Sequence, residues 1–214
     1  RLDEANGSRR GVPNWALTHP PAADRVLKVE EAVTTSRTSA SRARNKTEFE
    51  RVLEGMVYGD SREKGIVRGS DFLHPVLQFA MHFPQGWEIV NTDEQVAARE
   101  NEESNVGIVL QLASGSGNVQ QVAQAGMARA GFREASGQRT SINGLQAYVG
   151  IYDGVSNNTR IRARAAHIQS GGRVYVVAGL APASRFTRVD SAFQTAIASF
   201  RTMSRQEADR IQPN

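Results

Sequence analysis

The chain has 214 residues, enough for one sizeable core with an appendage. Hydrophobic residues make up 39% and charged residues 22%, as in ordinary globular proteins, and no window approaches the ~18 apolar residues of a membrane span. The absence of cysteine excludes disulfides, thiolate nucleophiles and cysteine-based zinc or iron–sulfur sites, and the net charge of +4 raises the question of an anionic partner.

That charge is carried mostly by arginine, since Lys28, Lys46 and Lys64 are the only lysines. Basic residues cluster at Arg37, Arg42, Arg44 and Lys46, inside a Ser/Thr-rich run, and at Arg160, Arg162 and Arg164, which alternate along a strand-like stretch. Neither cluster is interleaved with the aromatic side chains that stack on bases. A flexible basic linker and a solvated strand face account for them, and no nucleic-acid partner is expected.

In chain order, residues 1–12 are polar. Pro20 and Pro21 then open a helix whose apolar positions are Val26, Val29 and Val33. Residues 34–46 have no apolar period and read as a linker, after which Thr47 and Glu50 form a capping box for a helix with an apolar stripe of Phe49, Val52, Leu53, Met56 and Val57.

Beyond "YGDSREKGIVRGSD" the pattern changes to alternation. Leu77, Phe79, Met81 and Phe83 share one face, and further strands are expected at about 95–99 and 106–112. Asn118 with Gln121 caps a helix running from Val122 to Ala130, and turn signals at 142–144, 156–159 and 170–172 join successive strands. "VYVVAGL" at 174–180 is apolar on both faces, as a central strand covered on both sides would be. Phe186, Val189, Phe193, Ala196, Ile197 and Phe200 mark one face of a closing helix over 184–203. The expected fold class is α+β: a mainly antiparallel sheet of seven or eight strands with helices packed on it, spanning 70–203 and preceded by a helical N-terminal segment. Residues 204–214 read as a tail.

Four histidines offer the main chemistry: His19, His74, His82 and His167. None belongs to a His-Glu-x-x-His pair, so the chain by itself holds no convincing metal site. "GSGNVQQVAQAG" is better read as a capped strand-to-helix turn than as a phosphate loop. His82 is expected on the polar face of its strand, His167 inside the core, and His74-Pro75 at a strand entry.

His19 stands apart. "PNWALTHPPAADRV" resembles the segment that closes the catalytic domain in the zinc metallopeptidase family of CaaX prenyl endopeptidases, HtpX heat-shock proteases and BepA-type periplasmic proteases, through Thr18, His19, Pro20, Pro21, Arg25 and Val26. The resemblance implies that His19 lies near a zinc ion, as an extra ligand or as a hydrogen-bond partner of the tetrahedral intermediate, and that Arg25 helps hold the site. Pro20 biases His19 away from helical angles, so its ring can project from a rigid corner, and Arg25 can clamp a carboxylate or carbonyl-rich loop. Residues 54–91 resemble the junction between peptidase and C-terminal domains in large bacterial members. The pattern of Phe72, His74, Pro75, Phe79, Pro84, Gly86 and Trp87 is similar to that of the PsbP-like fold, as is the closing "AIASF" helix.

On this resemblance, residues 1–33 are the end of a metallopeptidase catalytic domain, 34–69 a linker and connecting helix, and 70–203 a PsbP-like accessory domain. The chain begins at Arg1 without the core of a signal peptide, and it is expected to be a piece of a longer protein or to join a separate catalytic chain. The implied cofactor is zinc, in the parent enzyme only. The implied partners are the catalytic half and a protein or peptide substrate, and the implied location is the bacterial periplasm or cell envelope. Lacking His-Glu-x-x-His, the chain alone is expected to be inactive. The alternative reading is a non-catalytic PsbP-like binding domain.

Overall fold

The computed structural model describes residues 61–101 and 104–212. His19, Arg25, the two N-terminal helices expected from the sequence and the 34–46 linker lie outside these residues.

Two antiparallel sheets and three helices make up the described chain. Strands β1 (Ile66–Arg68), β2 (Asp71–His74) and β3 (Phe79–His82) form a meander, joined at its edge by β11 (Arg201–Thr202) from the end of the chain. The larger sheet has seven strands in the order β4-β5-β6-β10-β9-β8-β7. They are β4 (Glu88–Asn91), β5 (Gln95–Arg99), β6 (Gly107–Leu112), β7 (Arg133–Ile142), β8 (Leu145–Ser156), β9 (Thr159–Ser170) and β10 (Arg173–Pro182). The helices are α1 (Val119–Arg129), α2 (Ala183–Ala198) and α3 (Arg205–Asp209).

Local chemistry sets the hairpins. Asn143-Gly144, Asn157-Asn158 and Gly171-Gly172 place positive φ at both central turn residues, the geometry whose twist matches two right-twisted strands. These tight turns make β7 to β10 a continuous antiparallel meander, and β10 occupies the middle of the sheet as its two-sided apolarity requires. Asn118 and Gln121 form the reciprocal capping box of α1: the Asn118 side chain accepts from the Gln121 amide at 3.0 Å, and the Gln121 side chain accepts from the Asn118 amide at 3.0 Å.

One face of the large sheet carries α2 and the small sheet. Phe186, Val189, Phe193, Ala196 and Ile197 of α2 meet Ile108, Leu110, Ala166, Ile168 and Val177, while Phe72, Phe79 and Met81 fill the space beside them. The other face carries α1, where Met127 and Phe132 join Ala163, Ala165, Tyr152 and Val176 in a second cluster. Strands β5, β6, β8, β9 and β10 therefore alternate between two cores, whereas the edge strand β7 is largely exposed and buries only Ile142.

Several sequence expectations shift. The closing helix ends at Ala198, because the chain then turns to pair Arg201 with Ala80 and Thr202 with Phe79. Phe200 consequently leaves the helix and stacks on Phe79 at 5.2 Å. The packed unit also extends past residues 70 and 203: Ile66, Ala80, Met203 and Ile211 form one buried cluster, Ala208 of α3 is 2% exposed, and the Ile211 carbonyl accepts from Arg62. Residues 204–212 are thus anchored by burial and hydrogen bonding. Arg162 and Arg164 do not form a freely solvated face. Arg164 makes a two-point pair with Asp190 of α2 at 2.6 and 2.8 Å, and Arg162 makes one with Asp153 at 2.7 and 3.1 Å.

Candidate functional site

The stretch "YVGIYDG" alternates aromatic residues and glycines along β8, so Tyr148, Gly150, Tyr152 and Gly154 all face α1. Each glycine leaves room for a ring. A Cβ on Gly150 would stand 2.7 Å from the Tyr152 ring, one on Gly154 would stand 2.8 Å from the Phe132 ring, and one on Gly137 would overlap the Tyr148 hydroxyl. Gly137 and Gly150 are cross-strand partners, and Glu134 is the cross-strand partner of Tyr152. An irregularity in register between Glu134 and Ser136 separates these two pairs. The two tyrosines therefore lie flat along the sheet and bring their hydroxyls toward one carboxylate.

The Tyr148 hydroxyl donates to Glu134 Oε1 at 2.8 Å. Glu134 Oε2 and the Tyr152 hydroxyl are both buried and have no hydrogen-bond partner, and Tyr152 as a whole is 1% exposed. Burial raises the pKa of both phenols, with the Glu134 charge adding to it, so both stay protonated near neutrality. The C-terminal end of α1 completes the wall. Gln124, Met127, Phe132, Arg133, Glu134 and Tyr152 are among the residues that line an open groove of about 570 Å³. A volume in this range suits a ligand or an inserted side chain with its neighbours.

His167 lies deeper under the same helix. It is the cross-strand partner of Tyr148, is 1% exposed and leaves Nδ1 without a partner. Burial pushes its pKa down to about 4, which keeps the ring neutral. Gly126 of α1 lies over it: a Cβ there would stand 3.8 Å from His167 Nε2. The ring faces inward as the alternation predicts, but Nδ1 lacks the hydrogen bond that a core histidine is expected to make.

A second, smaller cavity of about 90 Å³ opens between the small sheet and the edge of the large one, beside His74, Phe79, Asn91 and Tyr175. His74 Nδ1 accepts from the Leu77 amide at 3.3 Å, and burial lowers its pKa to about 4. Asn91 donates through Nδ2 to the Lys64 and Gly65 carbonyls at 3.2 and 3.1 Å, which leaves its Oδ1 unpartnered. His82 is exposed, as its alternation predicts, and its Nδ1 lies 2.8 Å from Asp71.

Among the described residues, the structure does not gather the histidines into one site. His74, His82 and His167 lie apart, and His19 with Arg25, the expected site pair, falls outside the described residues. Among the described residues no group of three His, Cys, Asp or Glu side chains is placed to hold a metal ion. No described helix is long and apolar enough to cross a membrane. Sequence reasoning missed Glu134, Tyr148 and Tyr152. The signal that points to the tyrosines is the alternation of tyrosine with glycine, because a strand puts both residue types on one face and a glycine beside a large ring marks where that ring lies.

No family model matches the chain, and no curated protein does. Among solved structures, it is similar to the solution structure of cyanobacterial PsbP (CyanoP) from Synechocystis sp. PCC 6803, with 16% identity, a TM-score of 0.47, and coverage of 69% of this chain and 99% of that one. It is similar to LpqN, involved in cell envelope biogenesis of Mycobacterium tuberculosis, with 15% identity, a TM-score of 0.45, and coverage of 64% and 87%. A Pseudomonas aeruginosa protein of unknown function is similar at 14% identity and a TM-score of 0.41, with coverage of 56% and 88%. Likenesses at this level transfer no activity, and nothing in these comparisons supports a zinc metallopeptidase parent.

Proposed function

We infer that the described domain is a non-catalytic binding module that takes its ligand in the groove at the end of α1. The observation that carries this reading is the open groove itself, walled by Met127, Phe132, Arg133, Glu134 and Tyr152, with Glu134 Oε2 and the Tyr152 hydroxyl buried behind that wall without a hydrogen-bond partner. Leaving a buried polar atom unpaired costs about 1–3 kcal/mol, a cost that a ligand recovers only where the wall opens enough to reach the atom. Tyr148, locked against Glu134 and seated over Gly137, fixes the carboxylate before any ligand arrives.

The test is a fragment screen by amide chemical shifts on the full chain. Shifts clustered at residues 124–134 and 148–154 are expected. Shifts scattered over the surface, or confined to the smaller cavity beside His74, would overturn the assignment. The envelope location belongs to the same proposal and is tested by cell fractionation. The peptidase role of His19 and Arg25 has its own test, in which the chain is joined to a His-Glu-x-x-His half and zinc uptake and peptide hydrolysis are compared with those of a His19→Ala variant.

A further inference from the structure

Resting on the binding-module reading and deepening it, we propose that the exposed edge of β7 takes up an extended, acidic segment of a partner protein as a further strand of the large sheet. β7 stands last in the order β4-β5-β6-β10-β9-β8-β7, and among the described strands it pairs with β8 alone. It runs for 10 residues, all exposed except Glu134 and Ile142. The other sheet edges offer far less: β4 has 4 residues, mostly half-buried, β1 has 3 and β11 has 2. A long edge of unpaired backbone groups is a template for another strand, and proteins that keep such an edge idle cut it short or place proline or lysine on it. β7 carries neither residue, and the irregularity between Glu134 and Ser136 leaves 136–142 in regular register.

The turn that follows β7 decides which backbone groups are free. Asn143 and Gly144, both at positive φ, join Ile142 to Leu145 as a two-residue hairpin, so these two flanking residues exchange both hydrogen bonds and the ladder alternates from there. Ser136, Gln138, Thr140 and Ile142 therefore bond to β8, while Gly137, Arg139 and Ser141 turn their N–H and C=O groups outward. All three are exposed, and Gly137 and Ser141 carry little or no side chain to block an approaching backbone. An incoming strand answers these donors and acceptors with its own main chain.

Charge and shape select the occupant. The exposed charges of β7 are Arg133 and Arg139, both basic, whereas Glu134 keeps one carboxylate oxygen on Tyr148 and the other buried. Arg139 donates to the neutral Gln120 side chain at 2.9 Å. Arg133 faces Asp153 across the strand pair, but that carboxylate is already held at two points by Arg162. Acidic side chains on the incoming strand meet these arginines across the ladder, where opposite charges favour pairing and like charges oppose it. The start of β7 adds an apolar anchor: Phe132, Arg133 and Glu134 line the groove with Met127 and Tyr152, so a strand continued past residue 136 brings its end to that groove. Main-chain bonds then supply affinity, and the groove selects an apolar side chain.

The experiment follows amide hydrogen exchange and chemical shifts of the full chain with three capped hexapeptides. One alternates glutamate and valine and ends in phenylalanine, one has lysine in place of glutamate, and one is the acidic sequence N-methylated at every amide. In the free chain the Gly137, Arg139 and Ser141 amides should exchange fast, and those of Gln138, Thr140 and Ile142 slowly. The acidic peptide should slow the first set at least about tenfold, the lysine peptide should bind several-fold more weakly, and the methylated peptide should leave the exchange unchanged. Ser141→Pro removes one outward donor at a position where an edge strand tolerates proline and should weaken the acidic peptide about two- to tenfold. Arg139→Ala should weaken it about two- to fivefold. Slow outward amides in the free chain, or slowing that grows with protein concentration without peptide, would give the edge to this chain or to a second copy and overturn the proposal. Equal binding of the lysine peptide overturns the acidic partner, and equal binding of the methylated peptide overturns strand addition. Shifts confined to 124–134 and 148–154, with exchange at 137, 139 and 141 unchanged, overturn the proposal and leave the groove reading standing. If neither these peptides nor any fragment shifts the chain, both readings fail. The wild-type comparisons keep the test decisive even where a variant does not fold.

Discussion

Gly179 and Phe193 should behave as one unit in a stability cycle. Gly179 lies on the central strand β10, and Phe193 of α2 presses its ring into the space that a side chain there would occupy. A Cβ on Gly179 would stand 2.7 Å from Phe193 Cβ and overlap the ring itself. The ring cannot step aside freely, since Phe186 packs at 6.1 Å and Trp87 meets it edge-on at 6.5 Å. Gly179 has no positive φ, so Gly179→Ala costs contact rather than backbone strain, about 1–3 kcal/mol for overpacking. Phe193 is 0% exposed, and Phe193→Ala should cost about 3–5 kcal/mol. If the sites were independent, the double variant would lose about 4–8 kcal/mol. With the ring gone, however, the added methyl fills part of the cavity, and the double variant should lose no more than Phe193→Ala alone. The coupling is then about 1–3 kcal/mol. Urea melts of the full chain followed by circular dichroism measure all four corners, and Phe193→Leu replaces the alanine variant where that variant is unfolded in water. Additive losses would refute the notch and with it the docking of α2 against β10.

Three other outcomes are expected. Tyr148→Phe removes the hydroxyl that donates to Glu134 and should lower stability by about 1–3 kcal/mol in the same melts, whereas a change below about 0.5 kcal/mol would mean that the carboxylate is held by something else. Asp190→Ala leaves Arg164 without its two-point partner between sheet and helix; side-chain exposures of 21% and 17% moderate the charge term, so a loss of roughly 1–3 kcal/mol is expected, and an unchanged melt would show that the pair contributes nothing. Acid should destabilise the fold through His74 and His167: each pKa is lowered from 6.5 to about 4, so between those values the unfolded chain binds protons that the folded chain refuses, and stability present at neutral pH is lost as pH falls. The full loss per histidine is about 3 kcal/mol near pH 4 and below, and His167→Leu should flatten the slope of stability between pH 6.5 and 4 by about half; an unchanged slope would refute the buried neutral ring.

What the sequence determined by itself was the identity of elements whose instructions are local. The Asn118 and Gln121 cap, the positive-φ turns at 143–144, 157–158 and 171–172, the two-sided apolarity of β10 and the inward alternation of His167 each need only a few neighbouring residues to be read. The tertiary structure decided whatever depends on partners distant in the chain. No local pattern separates β1, β2 and β3 into their own sheet, because that sheet is completed by Arg201 and Thr202, more than a hundred residues away, which pull the chain out of α2 and place Phe200 on Phe79. The alternating arginines of β9 look the same in the sequence whether they meet water or Asp153 and Asp190, since only the docking of α2 sets Asp190 opposite Arg164. The groove follows the same rule. The tyrosines and glycines of β8 are legible as a face, but Glu134 and Tyr152 share the groove wall only because strand register sets them across from each other and α1 ends beside them, and register is fixed by the cooperative packing of whole strands rather than by any one residue.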